Sequence, residues 1–244
     1  MSPEPRPSER PRYDPGSIRE LFDGMAATYG AMNLITSFGF AARWRRQAVE
    51  ALPPSAPRPR VADLMSGMGE LWPSLARLDP PPVEVVAVDL SPEMTRRAVG
   101  AGPFAVRLRL EDVLEIDFAP ESFDAIVSSF GLKTFDADQQ DRLARRVAGW
   151  LRPGGAFSFV EISVPPGLPL RTAYMFYLKR IIPRLGRLFL GDPVHYRMLG
   201  VYTEAFGDCR RFADALARAG LQVEPVSLFF GCATGVRGRK PRDG

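Results

Sequence analysis

Residues 61–69 read VADLMSGMG, and twenty positions after Gly69 the chain reaches Asp89 at the end of a second apolar run, EVVAVDLS. Glycine lets a backbone turn come close to a ligand, and a carboxylate ending the next strand can accept hydrogen bonds from ribose hydroxyls. Together they point to a nucleoside-containing cofactor. The residue three positions after Gly69 selects among such cofactors. A dinucleotide fingerprint needs a glycine there so that pyrophosphate and helix can approach, but this chain has Trp72, with Glu70 placed to repel a phosphate. A phosphate-free cofactor fits better. S-adenosylmethionine has an adenosine, a cationic sulfonium and an amino-acid tail, for which Asp63 and Glu70 are acceptable neighbours.

Such a turn needs strands to aim it. Apolar runs near residues 60–65, 84–89, 104–110, 123–129 and 155–162 alternate with helical patterns, which predicts an α/β fold with a parallel sheet and helices on both faces. Runs at 221–228 and 230–237 are too close for a helical crossover and should form an antiparallel hairpin. Ligands in such sheets sit beyond the carboxyl ends of the strands. That rule gathers Asp63, Asp89, Asp112, Ser128 to Thr134 and Glu161 around one crevice.

Two segments could roof it. The first 16 residues hold five prolines and are expected to be a disordered tail. From Ser17, a candidate N-cap, the residues Ile18, Leu21, Phe22, Met25, Tyr29, Met32 and Asn33 share one helical face, and a second helix is expected over 43–52. Residues 17–52 thus form a helical cap. The stretch 168–206 is rich in aromatic and aliphatic side chains and reads as a helical lid insert, a minority of whose side chains should line a concave, mostly apolar pocket.

Composition bounds the rest. A chain of 244 residues, 45% hydrophobic, suits a single domain over 17–240. No apolar run approaches the roughly 20 residues of a membrane span, and no apolar signal-peptide core is present, so a cytoplasmic location without stable membrane insertion is expected. Cys209, Cys232 and the single His195 lack metal-ligand spacing, so neither metal nor disulfide is expected. The net charge of +4 rests on arginines scattered over helices, including Arg45/Arg46, Arg145/Arg146 and Arg210/Arg211. These read as solvated helix faces rather than a nucleic-acid stripe.

The blocks LFDGMAATYGAMNLITSFGFAARWRR, VADLMSGMGE, VDLSPEM, SFDAIVSSFGLKTFD, LRPGGAFSFVEISVP and YLKRIIPRLGRLF, in that order, resemble the ubiquinone/menaquinone biosynthesis C-methyltransferase family from about Ile18 to Lys240. The glycine loop and LRPGG are common to many class I methyltransferases; the N-terminal block and FGL are more particular. The resemblance implies a seven-stranded Rossmann-like sheet holding S-adenosylmethionine. By position it implies Asp63, Gly67 and Gly69 at the methionine end, Asp89 at the ribose, and Asp112 with Val113 at the adenine edge. Ser66, Leu90 and Met94 complete that set, Ser128 and Ser129 lie beneath the cofactor, and Tyr29 closes over its tail. The acceptor side falls to Phe130, Lys133, Thr134, Tyr177 and Tyr196.

Three departures bear on that side. The family reads FGLRN where this chain has FGLKT, exchanging an arginine and an asparagine for Lys133 and Thr134, and a lysine cannot copy a guanidinium fork. The family's YD pair is Tyr29/Gly30 here, and His195 precedes Tyr196 where relatives carry a small polar residue. Methyl transfer to carbon or oxygen also needs a proton removed. His195 has the right ordinary pKa for it, with Glu161 and Lys133 as further catalytic candidates. The activity expected is methylation of a small, largely apolar acceptor at carbon. The alternatives are N- or O-methylation, of a phospholipid amine for example, and a cyclase or non-methylating protein that binds the same cofactor. A homodimer is left open.

Overall fold

The computed structural model describes residues 11–53, 55–98, 102–190 and 194–242, apart from the side chains of 188–190, 194 and 195. Seven strands form one sheet: β1 (Arg60–Leu64), β2 (Glu84–Asp89), β3 (Ala105–Leu110), β4 (Phe123–Ser129), β5 (Leu151–Ile162), β6 (Gln222–Leu228) and β7 (Ala233–Arg239). Their order across the sheet is β3-β2-β1-β4-β5-β7-β6. Strands β1 to β5 pair in parallel, while β7 runs antiparallel to both β5 and β6. Chain order reverses between β1 and β4, so the switch-point crevice opens above those two strands. The expected hairpin is present, turned by the 3-10 segment Phe229–Gly231. Strand β5 begins at Leu151 rather than near 155, because Leu151 pairs with Phe123 before an irregularity shifts the register.

The helices are α1 (Pro15–Met25), α2 (Tyr29–Thr36), α3 (Phe40–Glu50), α4 (Trp72–Leu75), α5 (Pro92–Arg96), α6 (Ala137–Trp150), α7 (Leu168–Phe176), α8 (Ile182–Leu190), α9 (Val194–Phe206) and α10 (Arg210–Arg218). A 3-10 turn spans Leu132–Thr134, and a π-helical turn, Tyr177–Ile181, joins α7 to α8. Both sheet faces are covered. Leu64, Val86, Ile126, Phe157 and Phe159 pack under α6 and α10, whereas Val61, Val85, Ala125 and Val127 pack against Val49 and the Leu71–Leu75 turn. Burying side chains of that size contributes about 1.5–3 kcal/mol each.

The N-terminal region differs from its expectation. Residues 1–10 lie outside the described residues, but 12–16 are docked, not trailing. Tyr202 in α9 accepts from the Arg12 amide at 3.3 Å and donates to the Arg12 carbonyl at 2.5 Å, and Tyr13 packs edge-on against the Tyr202 ring. Asp14, not Ser17, caps α1: its carboxylate accepts the Ser17 amide at 2.8 Å, with Pro15 opening the helix. The expected continuous face from Ile18 to Asn33 is broken at Ala26–Thr28. There the Thr28 hydroxyl meets the Tyr196 hydroxyl at 2.7 Å, and the turn re-aims α2 against the lid. Met25, Met32, Met175, Leu178, Ile182 and Tyr196 form one buried cluster joining α1 and α2 to α7–α9.

Among the described residues no helix is long and apolar enough to cross a membrane, and no cluster of His, Cys, Asp or Glu could hold a metal ion. Cys209 and Cys232 are buried thiols.

Candidate functional site

The glycine turn after β1 is a packed object. Gly67 and Gly69 have φ of +56° and +80°, values that glycine adopts freely. The Gly67 amide donates to Asp89 Oδ2 at 2.7 Å, so the turn after β1 and the acid ending β2 are directly bonded. Ser91 donates its amide to Asp89 Oδ1 at 2.8 Å and its hydroxyl to Asp23 at 2.5 Å, which ties α1 to the same loop. A Cβ at Gly69 would stand 2.5 Å from the Trp72 indole. That indole donates Nε1–H to Asp63 Oδ2 at 3.0 Å, while Asp63 Oδ1 is buried without a partner. Trp72, which sets the turn apart from a dinucleotide fingerprint, thus fills the room where a pyrophosphate-binding loop would need backbone.

Beyond the strand ends lies a crevice open to solvent. Of the residues expected at the cofactor, Tyr29, Gly67, Asp89, Leu90, Met94, Asp112, Val113 and Ser129 line it. Asp63, Ser66, Gly69 and Ser128 lie behind its wall, and the Ser128 hydroxyl, like Asp63 Oδ1, is buried unpaired. Glu70 and Glu111 add carboxylates to the lining. Burial pushes the Asp63 carboxyl up to about 8, reinforced by the charges of Glu70 and Asp89 and opposed by the Trp72 hydrogen bond. Burial also raises Asp89, against the hydrogen bonds from Ser91 and Gly67. Crowded, desolvated carboxylates favour a cation and disfavour a phosphate.

A second, narrow chamber lies under the helices and shares Phe22, Tyr29, Phe130 and Thr134 with the first. Its walls are otherwise mostly apolar, including Leu21, Met25, Met32, Ile162, Ile182 and Leu199. Of the expected acceptor-side residues it receives Phe130, Lys133, Thr134 and Tyr196. Tyr177 is not on its wall: the hydroxyl donates to the Thr36 carbonyl at 2.8 Å and the ring stacks on Phe38 while packing against the Met25–Met32–Tyr196 cluster from outside the chamber. Burial, with the Glu70 charge, drives the Tyr29 phenol far above its ordinary value, so it remains a donor.

The expected catalytic groups are placed unevenly. Lys133 Nζ lies 3.0 Å from Glu161 Oε1 and also donates to the Phe130 carbonyl. Glu161 is fully buried and accepts further from the amides of Lys133 at 3.0 Å and Ile162 at 2.8 Å. Both charges are therefore spent on each other and on holding the turn after β4. The side chain of His195 lies outside the described residues; its backbone belongs to α9, the helix of Tyr196 and Tyr202.

Three residues gain a place that sequence reasoning did not assign them. Arg45, expected on a solvated face, is 6% exposed: it donates to Glu70 Oε1 at 3.2 Å and Ser129 Oγ at 3.3 Å, and lies over the Phe130 ring at 4.8 Å. The signal was available in its position next to Trp44 on the helix face that also buries Ala41. Asn33 brings a buried Nδ2 to the second chamber beside the Tyr29 phenol. Tyr13, from the docked N-terminal segment, lines the larger crevice.

The family model of the ubiE/COQ5 methyltransferases matches residues 11–240. The chain belongs to that family. This methyltransferase is 34% identical over 226 residues to the demethylmenaquinone methyltransferase of Thermus thermophilus, covering 91% of this chain and 100% of the relative. It is 31% identical over 230 residues to the ubiquinone/menaquinone biosynthesis C-methyltransferase UbiE of Geotalea daltonii, covering 91% and 96%. A Haloferax volcanii putative methyltransferase solved in complex with the Trm112 activator superposes with a TM-score of 0.62 at 16% identity, over 93% of this chain and 99% of that one. Phosphoethanolamine N-methyltransferase 2 of Haemonchus contortus, solved with S-adenosyl-L-methionine, gives 0.58 at 15% identity, over 82% and 53%. At those identities the structural likeness is one of fold, and the fold is the class I methyltransferase sheet expected from the sequence.

Proposed function

We propose that this enzyme transfers a methyl group from S-adenosylmethionine to a ring carbon of a quinone-like, apolar acceptor. The observation that carries the reading is the junction of two unlike cavities, a carboxylate-rich crevice at the strand ends and an apolar chamber beneath the helices, across Tyr29, Phe130 and Thr134. Relatives named for demethylmenaquinone and ubiquinone/menaquinone methylation supply the acceptor class.

The residues present fit the cofactor. Asp89 keeps free lone pairs for ribose hydroxyls after accepting two backbone amides, and Asp63, buried behind the crevice wall, keeps an unpaired Oδ1 whose ionisation a cationic amino-acid tail would favour. Asp112 and Val113 would edge the adenine, and Met94 and Leu90 would cover its face. When bound, the cofactor supplies an electrophilic methyl group on a sulfonium. The protein's part is to hold a ring carbon in line with that group and to exclude water, for which the apolar walls and α1–α2 are placed. Tyr29, kept protonated by burial, and Asn33 are the donors suited to a ring oxygen of the acceptor. Lys133 and Glu161 act as positioning residues that shape the Phe130–Thr134 turn. Removal of the ring proton is assigned to His195, one residue before Tyr196, and His195→Ala tests that assignment by its turnover.

The deciding experiment supplies methyl-labelled S-adenosylmethionine and a short-chain demethylmenaquinol under reducing conditions. Label on ring carbon is the expected result. Label only on oxygen, transfer only to amine acceptors, or tight cofactor binding without any demethylated product would each overturn the proposal.

A further inference from the structure

The largest exposed apolar side chains of the helical half are not scattered. Leu34, Ile35 and Phe38 project from α2 and its C-terminus, Leu168 and Phe176 from α7, and Phe229 and Phe230 from the β6–β7 turn. Direct contacts join the three segments. The Phe38 ring stacks on Tyr177 at 6.1 Å, Phe40 packs on Phe229 at 4.5 Å, and the Tyr174 hydroxyl donates to the Cys232 carbonyl at 3.2 Å. They form one face, on the outer side of the helix whose inner side lines the acceptor chamber with Met32, Asn33 and Thr36.

Two independent features indicate what this face meets. The first is backbone strain: Phe38, Phe229 and Phe230 all have positive φ, at 50°, 44° and 56°. For a bulky residue that conformation costs on the order of 1–3 kcal/mol. Phe38 and Phe230 nevertheless stay 79% and 78% exposed, so burial within the monomer offsets little of that cost. The second is charge. None of the chain's 28 acidic residues falls in 24–49, 162–191 or 225–242, the stretches that build this face. Arg171, Arg180, Arg184 and Arg187 from the same segments, with Arg43 and Arg46 from α3, are exposed. Glu50 meets Arg46 and Glu204 meets Lys179 at the margin of the face, but its exposed arginines outnumber these acids. Projecting aromatic rings with a surplus of arginines match an anionic phospholipid surface, where the rings enter the interface and the guanidinium groups meet phosphates.

We propose that this aromatic, basic face docks the enzyme onto anionic bilayers, setting the acceptor chamber against the layer in which a long apolar acceptor would dissolve. Docking of this kind lies on the surface and needs no spanning helix. It also stands apart from the chemistry proposed above, since vesicle binding is measured without cofactor or acceptor.

The test is cosedimentation of the full chain with sucrose-loaded vesicles of phosphatidylcholine alone or mixed with phosphatidylglycerol, across a salt series. Two variants accompany it: Phe38→Asn with Phe230→Asn, asparagine being the non-glycine residue that best accepts positive φ, and Arg180→Gln with Arg184→Gln. The wild type should bind the anionic vesicles, bind phosphatidylcholine far less, and weaken as salt rises. The arginine variant should lose about fivefold in partitioning for each charge removed, and the aromatic variant about tenfold. Methylation of a water-soluble short-chain acceptor should stay within about twofold of wild type in both, because none of these side chains lines either cavity. Three results would overturn the proposal: wild type that binds neither vesicle, salt-independent binding equal for both, or a wild-type dimer that the aromatic variant turns into a monomer, which would make the face a contact between copies.

Discussion

Lys133 Nζ lies 3.0 Å from Glu161 Oε1, with 6% of the lysine side chain and none of the glutamate side chain exposed. The family's arginine position has thus become half of a buried ion pair that ties the turn after β4 to the end of β5. Removing one partner of such a pair strands a buried charge, at a cost of about 3–5 kcal/mol. Lys133→Met should lower urea-denaturation stability by that order, and Lys133→Met with Glu161→Gln should recover most of it. A single variant as stable as wild type would show that the pair does not hold the turn.

Gly69 and Trp72 are interdependent. A methyl group on residue 69 would press into the indole, and its backbone would be held at positive φ, so Gly69→Ala should destabilise by about 2–4 kcal/mol. Displacing the indole also disturbs its hydrogen bond to Asp63. Calorimetric titration with S-adenosylmethionine should therefore show at least about tenfold weaker binding, equivalent to about 1.4 kcal/mol. Unchanged binding would separate the tryptophan from the cofactor loop.

Asp63 makes the fold sensitive to pH in an unusual direction. Its carboxyl titrates at about 8 when folded and returns to about 3.9 in the unfolded chain. Between those values the folded state keeps a proton that the unfolded state releases, so this group removes stability as pH rises from about 4 to 8, by up to about 1.4 kcal/mol per pH unit. Asp63→Asn should lose that component, and its stability advantage over wild type should grow from pH 5 to pH 7.5. Cofactor affinity in the wild type should strengthen over the same range, because a cationic tail favours the ionised carboxylate. A wild-type-to-variant difference that is flat with pH would contradict both statements.

Tyr202 holds the N-terminal segment through both hydrogen-bonding groups of Arg12, and Tyr13 beside it lines the crevice proposed for the cofactor. Tyr202→Phe removes both bonds and keeps the ring. With a net contribution of about 1 kcal/mol per hydrogen bond, the KM for S-adenosylmethionine should rise at least about fivefold with kcat little changed. A fall in kcat without a KM effect would give Tyr202 a role in the chemistry instead.

What the amino-acid order determined was local and periodic. The continuous apolar runs, the glycines at 67 and 69, the acid at 89 and the short gap before the last strand are set by short-range sterics and by the need to bury both faces of the central strands. The sheet, the hairpin and the gathering of Gly67, Asp89 and Asp112 at one crevice were legible from them. The tertiary structure decided which polar side chains meet. Arg45 finds Glu70 across 25 residues and Lys133 finds Glu161 across 28, and no period in the chain encodes either pair. Tyr202 reaches back 190 residues to Arg12, so a proline-rich beginning that reads as a loose tail is docked from residue 12 onward. The turn at Ala26–Thr28 and the π-helical turn at Tyr177–Ile181 rotate neighbouring side chains away from the faces an unbroken helix would present. A buried charge or hydroxyl must find its partner wherever the fold brings one, and that choice is made by the packing of distant elements rather than by neighbours along the chain.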